Sequence, residues 1–172
     1  MRRGYVQVYT GDGKGKTTAA LGLIIRMFGK GGKVCLIQFL KVGKYCEHKT
    51  LRELESVDIY CFGRDRFIDL DNPSEKDRDI VEKGFDKARE IILSKEYDLV
   101  ILDEINVVAG YGLLDIEKVL ALLKEKPERT ELVLTGRNAP DRIIESADLV
   151  TEMKKIKHYY DNGVEAREGI EM

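Results

Sequence analysis

Residues 10–18 read Thr-Gly-Asp-Gly-Lys-Gly-Lys-Thr-Thr, and the sequence on either side leaves few folds open. The apolar run Tyr5-Val6-Gln7-Val8-Tyr9 precedes this stretch, and Ala19-Ala20-Leu21-Gly22-Leu23-Ile24-Ile25 follows it. Strand, glycine-rich turn and helix in that order can gather backbone N–H groups around an anion, because glycine has no Cβ to block the approach. The helix start adds its unpaired N–H groups and the positive end of its dipole. In the phosphate-loop pattern G-x-x-x-x-G-K-[ST], Lys16 is placed for the β- and γ-phosphates and the Thr17 hydroxyl for Mg²⁺. The Gly15-Lys16-Thr17 end of the pattern is intact, whereas Thr10 stands where its first glycine belongs and Gly11 comes one residue later. The plain alternative is a glycine-rich turn with no ligand.

Downstream, strand and helix patterns alternate. A first helix from about Thr17 carries Ala20, Leu23, Ile24 and Met27 at helical spacing and stops in Gly29-Lys30-Gly31-Gly32. Within it, the plain reading of Arg26 is a solvated surface charge. Val34-Cys35-Leu36-Ile37-Gln38-Phe39 reads as a strand buried on both faces. A polar loop from Leu40 to Lys49 follows, then a short helix over Thr50–Glu55 and a strand over Val57–Phe62. Ser74-Glu75-Lys76-Asp77 resembles a capping box for a long helix reaching about Lys95. Tyr97 to Glu104 is an apolar strand ending in Asp103-Glu104, and a carboxylate there can hold Mg²⁺ opposite the glycine loop. A helix over Asp115–Lys124 leads to the strand Glu131–Thr135, which ends in Gly136-Arg137, with Arg137 read as a phosphate clamp or a surface charge. Pro140 to Ala147 reads as a short helix with proline near its first position, and Asp148–Met153 as a last strand. Asn162-Gly163 signals a hairpin turn in a basic, aromatic tail. Alternation of this kind gives an α/β fold, a mostly parallel sheet with helices on both faces, and one domain over residues 1–172.

Composition narrows the partners. Across 172 residues, 29 Lys and Arg nearly balance 31 Asp and Glu, so bulk charge offers nothing to nucleic acid. The three cysteines, Cys35, Cys46 and Cys61, fit no zinc spacing. Cys35 and Cys61 lie in apolar runs and read as buried free thiols. Met1-Arg2-Arg3 leads into a strand without an apolar secretion segment, and no apolar run is long enough to span a membrane. The expected setting is cytoplasmic, with no membrane partner.

The whole pattern resembles the cob(I)alamin adenosyltransferases of the CobA/BtuR/CobO type. The resemblance rests on Thr10 to Ala20, on Gln38-Phe39-Leu40-Lys41, and on Val100 to Glu104. It continues through Leu134-Thr135-Gly136-Arg137 and Ala147-Asp148, and ends with Lys157 to Ala166 and Gly169-Ile170. It implies a RecA-like P-loop fold, a homodimer, and transfer of the 5′-deoxyadenosyl group of ATP to the Co(I) of a reduced corrinoid. The products would be adenosylcobalamin, or its precursor-corrinoid counterpart, and triphosphate. It implies ATP held by Gly11, Asp12, Gly13, Lys14, Gly15, Lys16, Thr17 and Thr18, with Arg26, Lys157, His158 and Asp161 as further contacts. Lys16 and Arg137 would act on the leaving triphosphate, Thr17, Asp103 and Glu104 would hold Mg²⁺, and Lys41 and Phe67 would meet the corrinoid. An electron-donating reductase would supply Co(I).

Two departures stand out. Better-known members carry an N-terminal extension over the active site, whereas here the first strand begins almost at once, so that cover is expected to be missing or supplied otherwise. Some members set Trp against the corrinoid in the loop after the third strand. This chain has no Trp, and Phe67 is the aromatic candidate there. Two other functions fit the same loop: a RecA-like ATPase or nucleotide kinase, with Asp103 on Mg²⁺ and Glu104 orienting a water or acceptor, and a non-catalytic nucleotide or corrinoid carrier. The phosphate product separates the first from adenosyl transfer, and turnover separates the second.

Overall fold

The computed structural model describes residues 3–65 and 68–171. Among these residues, six strands form one sheet: β1 (Val6–Thr10), β2 (Val34–Phe39), β3 (Val57–Phe62), β4 (Leu99–Asp103), β5 (Glu131–Thr135) and β6 (Leu149–Glu152). Their order is β3-β2-β4-β5-β1-β6, and every pairing is parallel. One strand, β5, therefore separates the glycine-loop strand β1 from the acid-ending strand β4. The helices are α1 (Lys16–Gly29), α2 (Cys46–Leu51), α3 (Glu75–Leu93), α4 (Ile105–Gly110), α5 (Ile116–Glu125) and α6 (Asp141–Ser146).

Strand alternation divides the core into two layers. From β2 and β4, Cys35, Ile37, Phe39, Val100 and Leu102 enter the layer beneath α3, α4, α5 and α6. Their neighbours Val34, Leu36, Leu99 and Ile101 join Ala20 and Ile24 of α1 and Leu51 of α2 on the opposite face. Both faces of β2 and β4 are covered, which is why these strands read as continuous apolar runs. At the β6 edge all four residues are exposed.

Helix starts follow their caps. The Ser74 hydroxyl accepts the Asp77 N–H at 3.3 Å, and the Asp77 carboxylate accepts the Ser74 N–H at 3.1 Å, the reciprocal pair expected for α3. Asp115 caps α5 by accepting the Glu117 N–H at 3.0 Å. By contrast α1 begins at Gly15 with no side-chain cap, leaving its first N–H groups for an outside acceptor.

Two expectations of secondary structure need correction, and one helix has no counterpart among them. The short helix after β2 is Cys46–Leu51, not Thr50–Glu55, because His48 Nδ1 accepts the Tyr45 N–H and starts it earlier. Ile105–Gly110, unassigned in the sequence, is helical. The short helix α6 forms as expected, with Pro140 as its N-cap beside its first residue. Asn162-Gly163 closes a 3₁₀ turn over Tyr159–Asn162, with Gly163 at φ 81° as its cap, so no hairpin forms there. Cys35 is buried as expected, and burial pushes its thiol up to about 12, whereas Cys61 on edge strand β3 is only half-buried.

Candidate active site

All four inner strands break direction at the same edge of the sheet. β1, β2, β4 and β5 are each followed at once by a residue of positive φ: Gly11 at 92°, Leu40 at 62°, Glu104 at 65° and Gly136 at 129°. Each break turns the chain away from its strand, and together they open a crevice along the C-terminal strand ends, the usual ligand position in such sheets. A cavity of about 980 Å³ lies there.

The glycine loop forms one side. A Cβ on Gly11 or on Gly13 would lie 2.6 Å from the Met153 carbonyl oxygen, so the loop's close seat against the chain after β6 requires glycine. The Gly13 N–H donates to that carbonyl at 2.6 Å. Thr10, the departure from the loop pattern, is the last residue of β1, and its hydroxyl accepts the Ala139 N–H at 3.3 Å. Lys16 Nζ donates to the Gly11 and Gly13 carbonyls at 2.6 and 2.8 Å, folding its ammonium back across the loop. Burial lowers its pKa, and Glu104 and Asp12 work against that shift.

Beneath the cavity floor sits Asp103, fully buried at the end of β4. Its Oδ1 accepts from the Thr17 hydroxyl at 2.9 Å and the Thr135 hydroxyl at 2.6 Å. Its Oδ2 accepts from Lys41 Nζ at 2.7 Å and Gln38 Nε2 at 2.9 Å. Burial alone would push this carboxyl up, but Lys41 and the hydrogen-bonding hydroxyl and amide prevail, so it is held below the usual range. Its neighbour Glu104 goes the other way: burial and the Asp103 charge raise it. Glu104 lines the cavity, and its N–H donates to the Thr135 hydroxyl at 3.1 Å.

A second layer fixes Gln38. Because His48 Nδ1 accepts a backbone N–H, its Nε2 carries the proton and donates to Gln38 Oε1. That contact orients the amide so that its nitrogen faces Asp103. Similarly Asn106, buried on α4, donates to the Gly136 carbonyl at 3.4 Å and supports the turn that presents Arg137. Neither Gln38, His48, Thr135 nor Asn106 was assigned a role from the sequence. For Gln38 the available signal was a lone polar residue in a wholly buried strand.

The opposite wall mixes apolar and charged groups. Leu40, Val42 and Tyr45 come from the segment after β2, and Arg64, Ile68 and Leu70 from the segment after β3. Arg64 is held by Asp77 at 3.0 Å. Bonding from Ser74 and the Arg64 guanidinium depress the Asp77 carboxyl to about 2 in spite of its burial. Phe67 lies outside the described residues.

The structure thus brings Asp12 to Thr18, Lys41, Glu104, Arg137 and His158 around one cavity. Lys157 lines a smaller neighbouring cavity of about 270 Å³, with His158 shared between the two. Arg26 is exposed further along α1, and Asp161 pairs with Lys155 at 3.1 Å; neither lines these cavities. Lys41 reaches Asp103 rather than standing free on the opposite wall. The end of the chain also returns to the loop, where Lys14 Nζ donates to the Ile170 carbonyl at 2.9 Å and pairs with Glu171 at 3.3 Å.

Comparison with known proteins supplies the decisive observation. Residues 2–172 match the family model described as ATP:corrinoid adenosyltransferase BtuR/CobO/CobP. The chain belongs to this family. Among its relatives, a corrinoid adenosyltransferase of Sinorhizobium sp is 39% identical over 173 residues, covering 98% of this chain and 80% of that protein. The corrinoid adenosyltransferase of Escherichia coli K12 is 35% identical over 169 residues, covering 98% of this chain and 86% of its own. That of Pseudomonas aeruginosa is 34% identical over 173 residues, with 98% and 84% covered. Family membership covers the glycine loop, the acid pair and the returning tail in one alignment, and the α/β fold with its all-parallel sheet agrees with it. None of the described helices is long and apolar enough to cross a membrane.

Proposed function

We propose that this chain transfers the 5′-deoxyadenosyl group of ATP to the Co(I) of a reduced corrinoid. The observation that carries this reading, beside the family match, is the two-sided cavity. One side offers backbone N–H groups and cations to a polyphosphate, and the other offers a wall of mixed apolar and charged groups to a second substrate. A simple ATPase needs only the first side, and the phosphate product separates a kinase from adenosyl transfer.

The chemistry asks little acid–base work of the protein. Co(I) is itself the nucleophile: its electron pair forms the Co–C5′ bond as the C5′–O bond breaks, cobalt rises to Co(III), and triphosphate leaves with the bonding pair. The chain must align the two centres and offset the charge that builds on the leaving oxygen. We assign the second task to the N–H groups from Lys14 to Thr18, to Lys16 once it releases its loop carbonyls, and to exposed Arg137. His158 reaches the same cavity and is assigned to the nucleotide.

Mg²⁺ suits the donors at the loop. The Thr17 hydroxyl and the Asp103 and Glu104 carboxylates are oxygen ligands of the kind this ion takes alongside phosphates and water. A cation, the Lys41 ammonium, already rests on two of them, 2.7 Å from Asp103 Oδ2 and 3.3 Å from Thr17 Oγ1. When bound, Mg²⁺ would share in neutralising the departing triphosphate. The family resemblance further supports a homodimer, a cytoplasmic setting, and an electron-donating reductase as the source of Co(I).

The test is a product assay with ATP, Mg²⁺ and chemically reduced cobalamin. The expected result is growth of the adenosylated cobalamin spectrum with one triphosphate per Co–C bond, over many turnovers. ADP and phosphate without a Co–C bond would establish the ATPase or kinase reading, and a single equivalent of product would indicate a carrier.

A further inference from the structure

The position of Lys41 carries a consequence for how the two substrates are ordered. Gln38 pairs in register with Asp103 across β2 and β4, so Lys41 comes from just beyond the end of β2. The strand breaks at Leu40, φ 62°, and the Lys41 side chain reaches across to Asp103. The Lys41 side chain is only 15% exposed, and that of its partner Asp103 is 0% exposed. The Lys41 ammonium lies 3.3 Å from the Thr17 hydroxyl and 5.4 Å from the centre of the Tyr45 ring.

We propose that Lys41 is a tethered cation that holds the metal position in the nucleotide-free enzyme and yields it to Mg²⁺. Buried Asp103 needs a positive partner at all times, since an uncompensated buried carboxylate is strongly destabilising. Without nucleotide, Lys41 fills that need from within the chain. A second cation cannot share the same carboxylate and hydroxyl, so arrival of the metal with ATP displaces the ammonium. Its tether lets it go only toward the wall where Val42 and Tyr45 lie, and the Tyr45 ring face is ready to receive a cation. Filling the nucleotide side therefore sends a positive charge to the corrinoid side. This inference rests on the assignment of Mg²⁺ to Thr17, Asp103 and Glu104.

The experiment is a Mg²⁺ titration of ATP binding, followed by calorimetry without corrinoid, on the wild-type enzyme, Lys41→Met and Asp103→Asn. Lys41→Met should lower the Mg²⁺ concentration for half-maximal ATP binding by about tenfold, the worth of one charged hydrogen bond. Its melting temperature should fall without metal and recover on adding Mg²⁺ alone, while the wild type stays indifferent to Mg²⁺ alone. An unchanged Mg²⁺ midpoint with no recovery of Lys41→Met overturns the proposal. If Asp103→Asn removes the Mg²⁺ dependence while Lys41→Met changes nothing, the metal assignment stands and only the role of Lys41 falls. If Asp103→Asn leaves the Mg²⁺ dependence intact, the metal assignment itself fails. Should Lys41→Met not fold, a crystal structure of the wild type with Mg²⁺ and a non-reacting ATP analogue decides. Lys41 Nζ beyond hydrogen-bonding reach of Asp103 supports the exchange, and the ammonium still seated on Asp103 refutes it.

Discussion

The two sides of the cavity floor are built by opposite means. The phosphate loop is nine consecutive residues whose working groups are backbone N–H donors, shaped by glycines and by an uncapped helix start. The Asp103 centre is one buried carboxylate satisfied by four side chains from three segments: Thr17, Gln38 with Lys41, and Thr135. On the loop side, the side chain proposed to act on phosphate, Lys16, bonds among the described residues only to loop carbonyls of its own segment. On the Asp103 side, every functional contact is also a core contact. Chemistry and stability are therefore separable in the loop and inseparable at Asp103.

That contrast can be broken by mutation. Asp103→Ala strips a buried cation, an amide and two hydroxyls of their acceptor at once. It should cost about 3–5 kcal/mol in urea unfolding and abolish transfer together. A variant that folds with wild-type stability would remove the distinction. Lys16→Ala should slow transfer about 10²–10³-fold, the usual worth of one preorganised charge-stabilising donor, while its unfolding midpoint stays within about 1 kcal/mol of wild type. A loss of stability comparable to that of Asp103→Ala would show that the loop, too, depends on its side chains.

Asp77 sharpens the comparison, because it supports the far wall from a helix cap. Its carboxyl is depressed to about 2 in the folded state against an ordinary value near 4. A depressed carboxyl contributes stability that is fully present above its unfolded value and is lost as pH falls through its folded value. Asp77→Asn should therefore cost of order 1 kcal/mol at neutral pH, as a lost cap does. The gap from wild type should close between about pH 4 and pH 2. A gap that persists unchanged at pH 2 would mean the carboxylate charge is not what holds Ser74 and Arg64.

The same contrast decides what the sequence reveals. All six strands are legible because their apolar runs are local, and the phosphate loop is legible because its parts are contiguous. Asp103 and Arg137 can be picked out because both sit at strand ends. The partners of Asp103 are not, since Thr135, Lys41, Gln38 and Thr17 lie 32, 62, 65 and 86 residues away. No local spacing links them. Helix α4 escapes for a related reason. Its N-cap is Glu104 in the left-handed region, and no Ser, Thr, Asp or Asn stands at that position to announce a start. Helix α2 is misplaced because its capping partner is His48, a residue that seldom fills that role. The tail misleads because Asn-Gly marks a left-handed residue, and that residue here ends a 3₁₀ turn instead of joining two strands.

Strand order has a consequence for how the enzyme comes into being. β1, with the glycine loop at its end, pairs only with β5 and β6, the last two strands of the chain. The loop itself leans on Met153 through the Gly13 N–H. During synthesis β1 thus emerges before the other five strands yet is seated only once β5 has followed, and it waits unpaired while β2, β3 and β4 assemble. Long-range pairing of this sort slows folding and leaves a strand open to the wrong partners meanwhile. It also makes the phosphate cradle a marker of completion, since the loop acquires its shape only after nearly the whole chain has been made.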